Sequence, residues 1–415
     1  MVRKSTFTAG RIPDAQFDAI VVGAGVVGLA MSLGLALRGF RVAVIDQSEI
    51  QADLSQPDPR VYAINTASQQ LLSDLGAWDC MPSERVSRYQ HMMIWDAATA
   101  AELHFDCREI AQDKLGCIIE ESVLRSALLQ GLGEQANVCF FPQQKIQHLG
   151  VEDARHKGVD SARQIFLQSE SGSSWIASTL FAADGAHSTC RKLLEVPLIT
   201  RPYHHHAIIT QVTTEFAHNH TAYQVFLKEG PLAFLPLVSP YQSSIVWSTT
   251  EHKARMLMQQ SSEQFHTALE EAFAGKLGRI QESSQRYVFP LWMRHAKQYV
   301  GDSWVLLGDA AHTIHPLAGL GLNLGLADVA LYLKHVENAG KKEQNSAQSL
   351  LSKRQLTVYQ RERKARVTQV MCLMQAVKSL FTNSCLPIQW IRGVGLIGCN
   401  KNPLLKALAI QFANE

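Results

Sequence analysis

The first element the chain predicts is a run of apolar residues with no polar alternation, 19–22. Such a run marks a strand buried on both faces of a parallel sheet. Gly23-Ala24-Gly25-Val26-Val27-Gly28 then turns into a stretch that stays small or apolar through Leu37, a helix that Gly39 ends. Residues 41–45 form a second buried strand, closing on Asp46. A polar, Pro-containing loop over 47–59 leads to a helix near 66–75 and to strand-like pieces at 91–95 and 102–105. Over 120–135, Val123, Leu124, Ala127, Leu128 and Leu132 recur at helical spacing on one face. Residues 138–141, 164–168 and 178–183 read as further strands. Between about 204 and 250 the texture changes to short alternating segments, 206–212, 222–227, 232–237 and 244–248, separated by Glu229-Gly230-Pro231 and Ser239-Pro240. That is an antiparallel sheet with one face left open to cover something. A helical pattern at 263–274, a short segment at 286–290, a buried strand at 304–307 and helical stretches at 323–336 and 347–381 follow, then a mixed tail.

The order of these elements predicts an α/β chain in which a nucleotide-binding fold is interrupted by an inserted sheet. The expected division is a disordered leader over 1–16, then nucleotide-binding parts at 17–90, 120–200 and 296–340. Substrate-domain strands lie at 91–119, the main inserted sheet at 201–295, and a helical region at 341–415. With 415 residues and 46% hydrophobic composition the chain buries a large core. A net charge of +2 gives no electrostatic grip on nucleic acid. Eight cysteines stand singly with no CxxC, which argues against a zinc site and a disulfide framework and for a reducing, cytoplasmic setting. There is no run of 18 apolar residues and no cleavable signal pattern. The tail carries Ile388, Trp390, Ile391, Leu404, Leu405, Leu408 and Ile410 with Lys401 and Lys406. Two readings stay open there: a helix lying in a membrane interface, or packing on the preceding helix or another subunit.

The chemistry begins at the first turn. Gly23 allows a tight turn, Gly25 lets backbone approach a pyrophosphate, and Gly28 lets helix meet strand. The helix start then offers free N–H groups to the phosphates, and Asp46 is placed to accept from a ribose hydroxyl. Gly393-Val394-Gly395-Leu396-Ile397-Gly398 spells the same pattern, but no parallel strand precedes it and no strand with its acid can follow. It reads as a glycine-rich helical connection. A second constellation runs from Gly308 to Asn323: a strand end delivers Asp309, then a loop with Pro316, Gly319 and Gly321 leads to a helix start. Asp309 suits a second chain of hydroxyls, and the helix start suits developing negative charge on a ring. A cofactor stretched between two such remote segments is flavin-like.

Three motifs in order, Gly23/Gly25/Gly28, Asp184-Gly185 and Gly308-Asp309, resemble those of the class A flavoprotein aromatic hydroxylases over about 17–380. The resemblance implies the p-hydroxybenzoate hydroxylase-type fold: a Rossmann-like FAD domain, an inserted antiparallel β-sheet substrate domain and C-terminal helices. DPRVYAIN at 58–65, YHHHA at 203–207, EGPLAFLPL at 229–237, SIVWS at 244–248 and the segment 308–323 are similar to the hydroxylases of bacterial ubiquinone biosynthesis, nearest to the 2-octaprenylphenol type. Two departures stand out. Leu320 occupies a position where that group usually has Gln, and Glu120-Glu121 stand where many class A relatives place an Arg.

What the resemblance implies is an FAD-dependent monooxygenase. It would use NAD(P)H as a transient co-substrate, bound in a surface groove without its own Rossmann unit, and O2 to hydroxylate a polyprenylated phenol. The cofactor residues would be Gly23, Gly25, Gly28, Asp46, Arg60, Asp184, Gly185, Asp309, Pro316, Gly319, Gly321 and Asn323. Bland alternatives accompany them: Arg60 as a solvated charge, Asp184 as a helix N-cap, His312 and His315 as loop packing. His204-His205-His206 alternate across a strand and read as sheet residues, and no metal-ligand spacing is present. Gln224 and Phe226 share one strand face and Tyr223 and Val225 the other. One of these pairs, with some of Phe234, Leu235 and Pro236, faces the substrate, and periodicity alone leaves the face open. Two competing functions remain: a hydroxylase of a small soluble aromatic, and a flavin-binding scaffold of a biosynthetic assembly, to which Leu320 lends weight. For the polyprenylphenol hydroxylase the resemblance implies a lipid substrate and O2, with peripheral membrane contact and a second copy or other proteins of the ubiquinone pathway as further partners.

Overall fold

The computed structural model describes residues 16–153, 163–314, 319–340, 350–383 and 385–414. The leader expected over 1–16 therefore lies outside the described residues except for Gln16, and so do His315 and Pro316. The first sheet has seven strands. Five of them, Val138–Phe141, Val42–Ile45, Gln16–Val22, Ser174–Ala182 and Trp304–Leu306, pair side by side in parallel. Their apolar runs are continuous because both faces are covered: Ala19, Ile20, Val21, Val42, Ala43, Val44, Leu180 and Phe181 have no solvent exposure. Arg163–Ser169 and Ile146–Asp153 extend the sheet in antiparallel fashion. The helices Val26–Ala36, Glu121–Gly133 and Leu320–Gly340 pack onto it.

The second sheet is the expected insertion, with nine strands. It is built around Leu198–Thr214, seventeen residues long, where alternation alone predicts 206–212. Pro202 has no N–H for the ladder, and the pairing with Tyr287–Ala296 shifts register between Pro202 and His206, so the alternation is broken there although the strand continues. Gln242–Thr250, Gly230–Pro236, Thr221–Leu227, His91–Asp96 and Glu102–Asp106 complete the row on one side. A small third sheet joins Val61–Ile64, Gly116–Glu120 and Val86–Tyr89.

The inserted sheet has two unlike faces. On one, Ile208, Val212, Val225, Leu232, Phe234, Ile245 and Trp247 pack against Phe265, Leu269 and Phe273 of a helical layer. That layer is Glu251–Gln259 and Ser262–Ala272, the second opened by a capping box of Ser261 and Gln264. The first of these helices is absent from the sequence reading because only Ala254 and Leu257 of it are buried, too narrow a stripe to show as a period. The other face turns toward the first sheet: Phe226 joins the main core, and Gln211 Nε2 donates to the Asp58 carbonyl at 3.0 Å.

The chain closes on Lys353–Thr382, a thirty-residue helix, then Leu386–Lys401 and Pro403–Asn414. The second glycine pattern, Gly393 to Gly398, lies inside Leu386–Lys401, so it is helix, as its missing strand predicts. This tail is clasped to the inserted sheet. Arg392 Nε and Nη2 reach Asp96 Oδ2 at 2.9 and 2.8 Å, and Arg392 Nη1 donates to the carbonyls of Leu380 and Phe381. Lys406 pairs with Glu109 at 2.5 Å. The outward face stays apolar, with Leu386, Trp390 (70% exposed), Ile391, Val394, Ile397, Leu404 (76% exposed) and Leu408.

Candidate active site

All three motifs leave the first sheet at the same edge. Gly23 follows Gln16–Val22, Asp184 follows Ser174–Ala182, and Gly308 follows Trp304–Leu306, three adjacent parallel strands; Asp46 follows the next one, Val42–Ile45. The carboxyl ends of parallel strands are where open α/β sheets bind ligands. Asp46 and Asp309 are thus three strand steps apart, about 14 Å, at one rim.

The glycines divide the work. A Cβ on Gly23 would stand 2.3 Å from the Ala183 carbonyl oxygen, and Gly23 has φ +108°; a Cβ on Gly28 would stand 1.9 Å from the Gly23 carbonyl oxygen. Both are needed for the turn itself. At Gly25 a Cβ would meet nothing within 4 Å, so this glycine keeps a space open rather than a contact close. Asp46 braces the turn, with Oδ2 accepting from the Ala24 N–H at 2.6 Å and Oδ1 from the Ser48 N–H at 2.8 Å. A carboxylate has about four acceptor positions, so two remain for a ribose.

Asp309 is open to solvent yet surrounded by protein on most sides, as a residue on the floor of a deep trough is. That crowding raises its carboxyl above the ordinary value, opposed by the nearby charges of His312, Arg294 and Arg60. Arg60 lies across the trough, with Nη1 on Glu121 Oε2 at 2.9 Å; the Tyr62 hydroxyl donates to the same oxygen at 3.3 Å. Gly319, with φ +61°, approaches Ala63, and a Cβ there would come within 3.1 Å of the Ala63 Cβ. Gly321 faces open space. Asn323 Nδ2 donates to the carbonyls of Ala63 and Gly319 at 2.7 and 3.1 Å, while its Oδ1 accepts from the Asn65 N–H. Its amide is taken up by the chain, so it clamps the loop instead of pointing a free group into the trough. Leu320 begins the helix and packs partly buried against the main core.

Asp184 partly takes its bland reading. Ser188 caps the helix Thr189–Leu193, and Asp184 Oδ2 also accepts from the Cys190 N–H at 3.0 Å. Its Oδ1 is buried without a hydrogen-bond partner. A buried carboxylate oxygen left bare is costly unless a ligand supplies a donor. With the empty space at Gly25, that oxygen is the observation by which these residues fit an extended dinucleotide.

Two arginines were missed. Arg125 Nε donates to the Ala24 carbonyl at 3.1 Å, which puts its guanidinium beside the first glycine loop. It stands one helical turn after Glu121, so the arginine that seemed absent from the helix start is displaced along the same face; spacing by four was the available signal. Buried Arg191 donates through Nη1 to the Ala310 carbonyl at 2.8 Å and through Nη2 to the Ala186 carbonyl at 3.0 Å. It thereby staples the Asp-Gly turn to the Gly-Asp turn, which no local pattern announces.

The substrate-side residues separate by face. Tyr223 and Phe234 pair across the ladder, and both pack on Phe273 under the helical layer; Phe234 stacks on it at 3.8 Å. Pro236 has the parity of Phe234 and pairs with Ser243. The expectation that Tyr223, Phe234 and Pro236 line a ligand is corrected on this point, because the helical layer covers their face. Gln224 and Phe226 take the opposite face with Leu235, and Phe226 stacks on Phe381 of the long helix at 3.8 Å.

A family profile described as FAD binding domain matches residues 16–374. The 3-demethoxyubiquinol 3-hydroxylase of Escherichia coli is 34% identical over 396 residues, covering 95% of this chain and 97% of that protein. The zebrafish (Danio rerio) mitochondrial ubiquinone biosynthesis monooxygenase COQ6 is 31% identical over 445 residues, covering 96% and 90%. In fold, the crystal structure of p-nitrophenol 4-monooxygenase PnpA from Pseudomonas putida superposes with a TM-score of 0.76 at 18% identity, covering 96% of this chain and 98% of that one. With the three motifs at one sheet edge and this breadth of match, the chain belongs to the FAD-binding-domain family, as an FAD-dependent aromatic monooxygenase related to the ubiquinone-biosynthesis hydroxylases.

Proposed function

We propose that this protein uses NAD(P)H and O2 to hydroxylate a ring carbon of a polyprenylated phenol in ubiquinone biosynthesis. The observation that carries the reading is the character of the sheet face turned toward the trough. Ala207, Ile209, Gln211, Gln224, Phe226, Ala233, Leu235, Ser244 and Val246 share it by register on the central strands and none of these is charged; Asp96, opposite Phe226 on the next strand, is taken up by Arg392. A free benzoate calls for a cation there; a neutral ring bearing a lipid tail does not. The relatives' names, a demethoxyubiquinol hydroxylase and a ubiquinone biosynthesis monooxygenase, support the same substrate class.

FAD, when bound, supplies the redox chemistry: NAD(P)H, a proton, O2 and the phenol give NAD(P)+, water and the ring-hydroxylated product. The residues of this chain bind and orient. Gly25 leaves room for the pyrophosphate, with Arg125 beside it; Asp46 accepts from the ribose. Asp184, Gly185 and Asp309 line the remaining length with Arg60, and Gly319 and Gly321 with the helix start at Leu320 shape the ring end. Pro316 belongs to that loop in sequence but lies outside the described residues. Gln224 and Phe226 orient the phenol and exclude water from it.

The substrate's tail also gives the helical tail a purpose. Among the described residues no helix is long and apolar enough to cross a membrane. The outward face of Leu386–Lys401 and Pro403–Asn414, bearing Leu386, Trp390, Ile391, Leu404 and Leu408, suits lying in a bilayer interface where a polyprenyl substrate resides.

The test is growth of a strain lacking its own quinone-ring hydroxylase and carrying this chain, with the accumulated quinone identified by mass. Restored ubiquinone supports the proposal. An unchanged precursor in cells that contain the flavin-loaded protein refutes it. NAD(P)H consumption stimulated by soluble phenols but not prenylated ones would move the substrate to the soluble class.

A further inference from the structure

Beneath the loop that carries Asp309 lies a carboxylate that the chemistry above does not use. Asp328, on the helix Leu320–Gly340, is fully buried. Its Oδ2 accepts from the Gly308 N–H at 2.9 Å and from His312 Nε2 at 2.8 Å, and its Oδ1 accepts from Arg363 Nε at 2.7 Å. Arg363 Nη2 donates in turn to the Leu324 carbonyl at 3.0 Å, one turn before Asp328. A single carboxylate thus joins the strand end at Gly308, the short strand His312–Thr313, the helix it stands on, and the long helix Lys353–Thr382.

Such a group is costly to bury unless its charge is answered, and here it is answered three times. Burial pushes the Asp328 carboxyl up, but His312, Arg363 and the Gly308 N–H more than offset that and keep it below the ordinary range. What the arrangement holds is specific. Gly308 immediately precedes Asp309 and takes φ +53°; His312 follows Asp309 by three residues. Both ends of the short turn that presents Asp309 hang from the same carboxylate oxygen, Oδ2 of Asp328. His312 is 2% exposed, so it is a tether and not a solvent-facing acid or base.

We propose that Asp328 is a positioning residue for the cofactor: with His312 and Arg363 it sets where the Gly308-Asp309 turn stands in the trough, and so acts on the flavin through Asp309. The proposal rests on the flavin reading above. The test is titration of the full-length apoprotein with FAD, followed by quenching of flavin fluorescence, beside thermal melts of the same apoproteins. His312→Leu removes one tether, and His312→Gln replaces it with an amide N–H at the position of the lost Nε2. Losing a hydrogen bond to a charged group weakens FAD binding about tenfold or more in His312→Leu and in Asp328→Asn, while His312→Gln returns to within about twofold of wild type. Asp309→Ala carrying Asp328→Asn should bind no more than about twofold worse than Asp309→Ala alone, because the second change acts through the first.

Lowered melting temperatures with unchanged FAD affinity in both variants would overturn the proposal, and so would losses that multiply in the double variant. If Asp328→Asn does not fold, the His312 pair decides by itself: His312→Gln as damaging as His312→Leu refutes the tether. A wild-type chain that takes up no FAD overturns the flavin reading and this inference with it.

Discussion

Arg392→Leu asks whether the helical tail is a docked lid over the inserted sheet or a loose appendage. Asp96 and Arg392 are each about 2% exposed in their side chains, so their charges meet almost out of water. Arg392 makes two contacts to Asp96 Oδ2, at 2.9 and 2.8 Å, and two to the carbonyls of Leu380 and Phe381, at 3.0 and 2.9 Å. Without it, Asp96 keeps only the Thr99 hydroxyl at 2.6 Å and a long contact of 3.4 Å from the Ala98 N–H. Breaking one side of a buried pair costs about 3–5 kcal/mol, because the remaining charge is stranded. The tail's other fastenings include the Lys406–Glu109 pair, the packing of Ile410, Leu396 and Cys399 with Leu103, Phe105, Cys107 and Leu115, and hydrogen bonds from His104 N–H to Asn400 Oδ1, from Asn65 Nδ2 to the Ala413 carbonyl and from Arg366 Nη2 to the Phe412 carbonyl. A partly buried apolar side chain contributes about 1–3 kcal/mol and a hydrogen bond about 1 kcal/mol, so the ion pair is the largest single term in docking. At 1.4 kcal/mol per tenfold, the undocked population should rise about 10²-fold or more. Limited proteolysis under native conditions reads that population directly, by the rate of cleavage after residue 383. Asp96→Asn with Arg392→Leu should recover much of the loss, since no charge is then stranded. Cleavage of Arg392→Leu within about twofold of wild type, or a double variant no better than the single, would refute the argument.

Gly25→Val should leave a folded chain that retains no FAD, seen as loss of the visible flavin band, whereas Gly28→Ala should fail to fold stably, its Cβ 1.9 Å from a backbone oxygen; a flavin-loaded Gly25→Val would count against the dinucleotide site. Leu404→Ser with Leu408→Ser, both on exposed positions, should cut recovery on anionic lipid vesicles about tenfold without changing flavin content, and equal recovery would leave the tail with packing alone. His205 and His295 are held near a pKa of about 4 by burial first and by neighbouring positive charge. Each stays neutral in the fold while its unfolded form protonates below about 6.5, so stability should fall as pH drops from 6.5 toward 4, by about 1–2 kcal/mol per histidine, in urea titrations at each pH. A flat profile across that window would remove both groups from the account.

The parts of this molecule that were legible are those whose physics is local. A buried parallel strand must be apolar throughout, a tight βα turn must spend glycines, and a carboxylate at a strand end sits at the rim. Asp46, Asp184 and Asp309 are therefore visible as candidates one by one. That they stand at one rim follows only from strand order, since Ser174–Ala182 lies between Gln16–Val22 and Trp304–Leu306 despite long separations in the chain. The stapling residues were not visible for the same reason. Arg191 and Asp328 act on carbonyls and N–H groups brought near by topology, and an isolated buried Arg or Asp on a helix has no period and no spacing to mark it.

The open face of the inserted sheet is a different case, because the pattern that assigns it lies in the sequence. Two faces alternate along Thr221–Leu227, Gly230–Pro236 and Gln242–Thr250, and they differ in kind. One carries Val225, Phe234, Ile245 and Trp247; the other carries Gln224, Ser244 and, on the neighbouring strand, Gln211. The helices that follow at once, Glu251–Gln259 and Ser262–Ala272, bring Leu257, Phe265 and Leu269 and need an apolar surface to bury them. Amides under such a layer would lose water without gaining partners, so the amide-bearing face must turn the other way, toward the trough. The same reasoning separates the two aromatic residues: Phe234 satisfies the helical layer by stacking on Phe273, and Phe226, on the opposite face, stacks on Phe381 of the long helix.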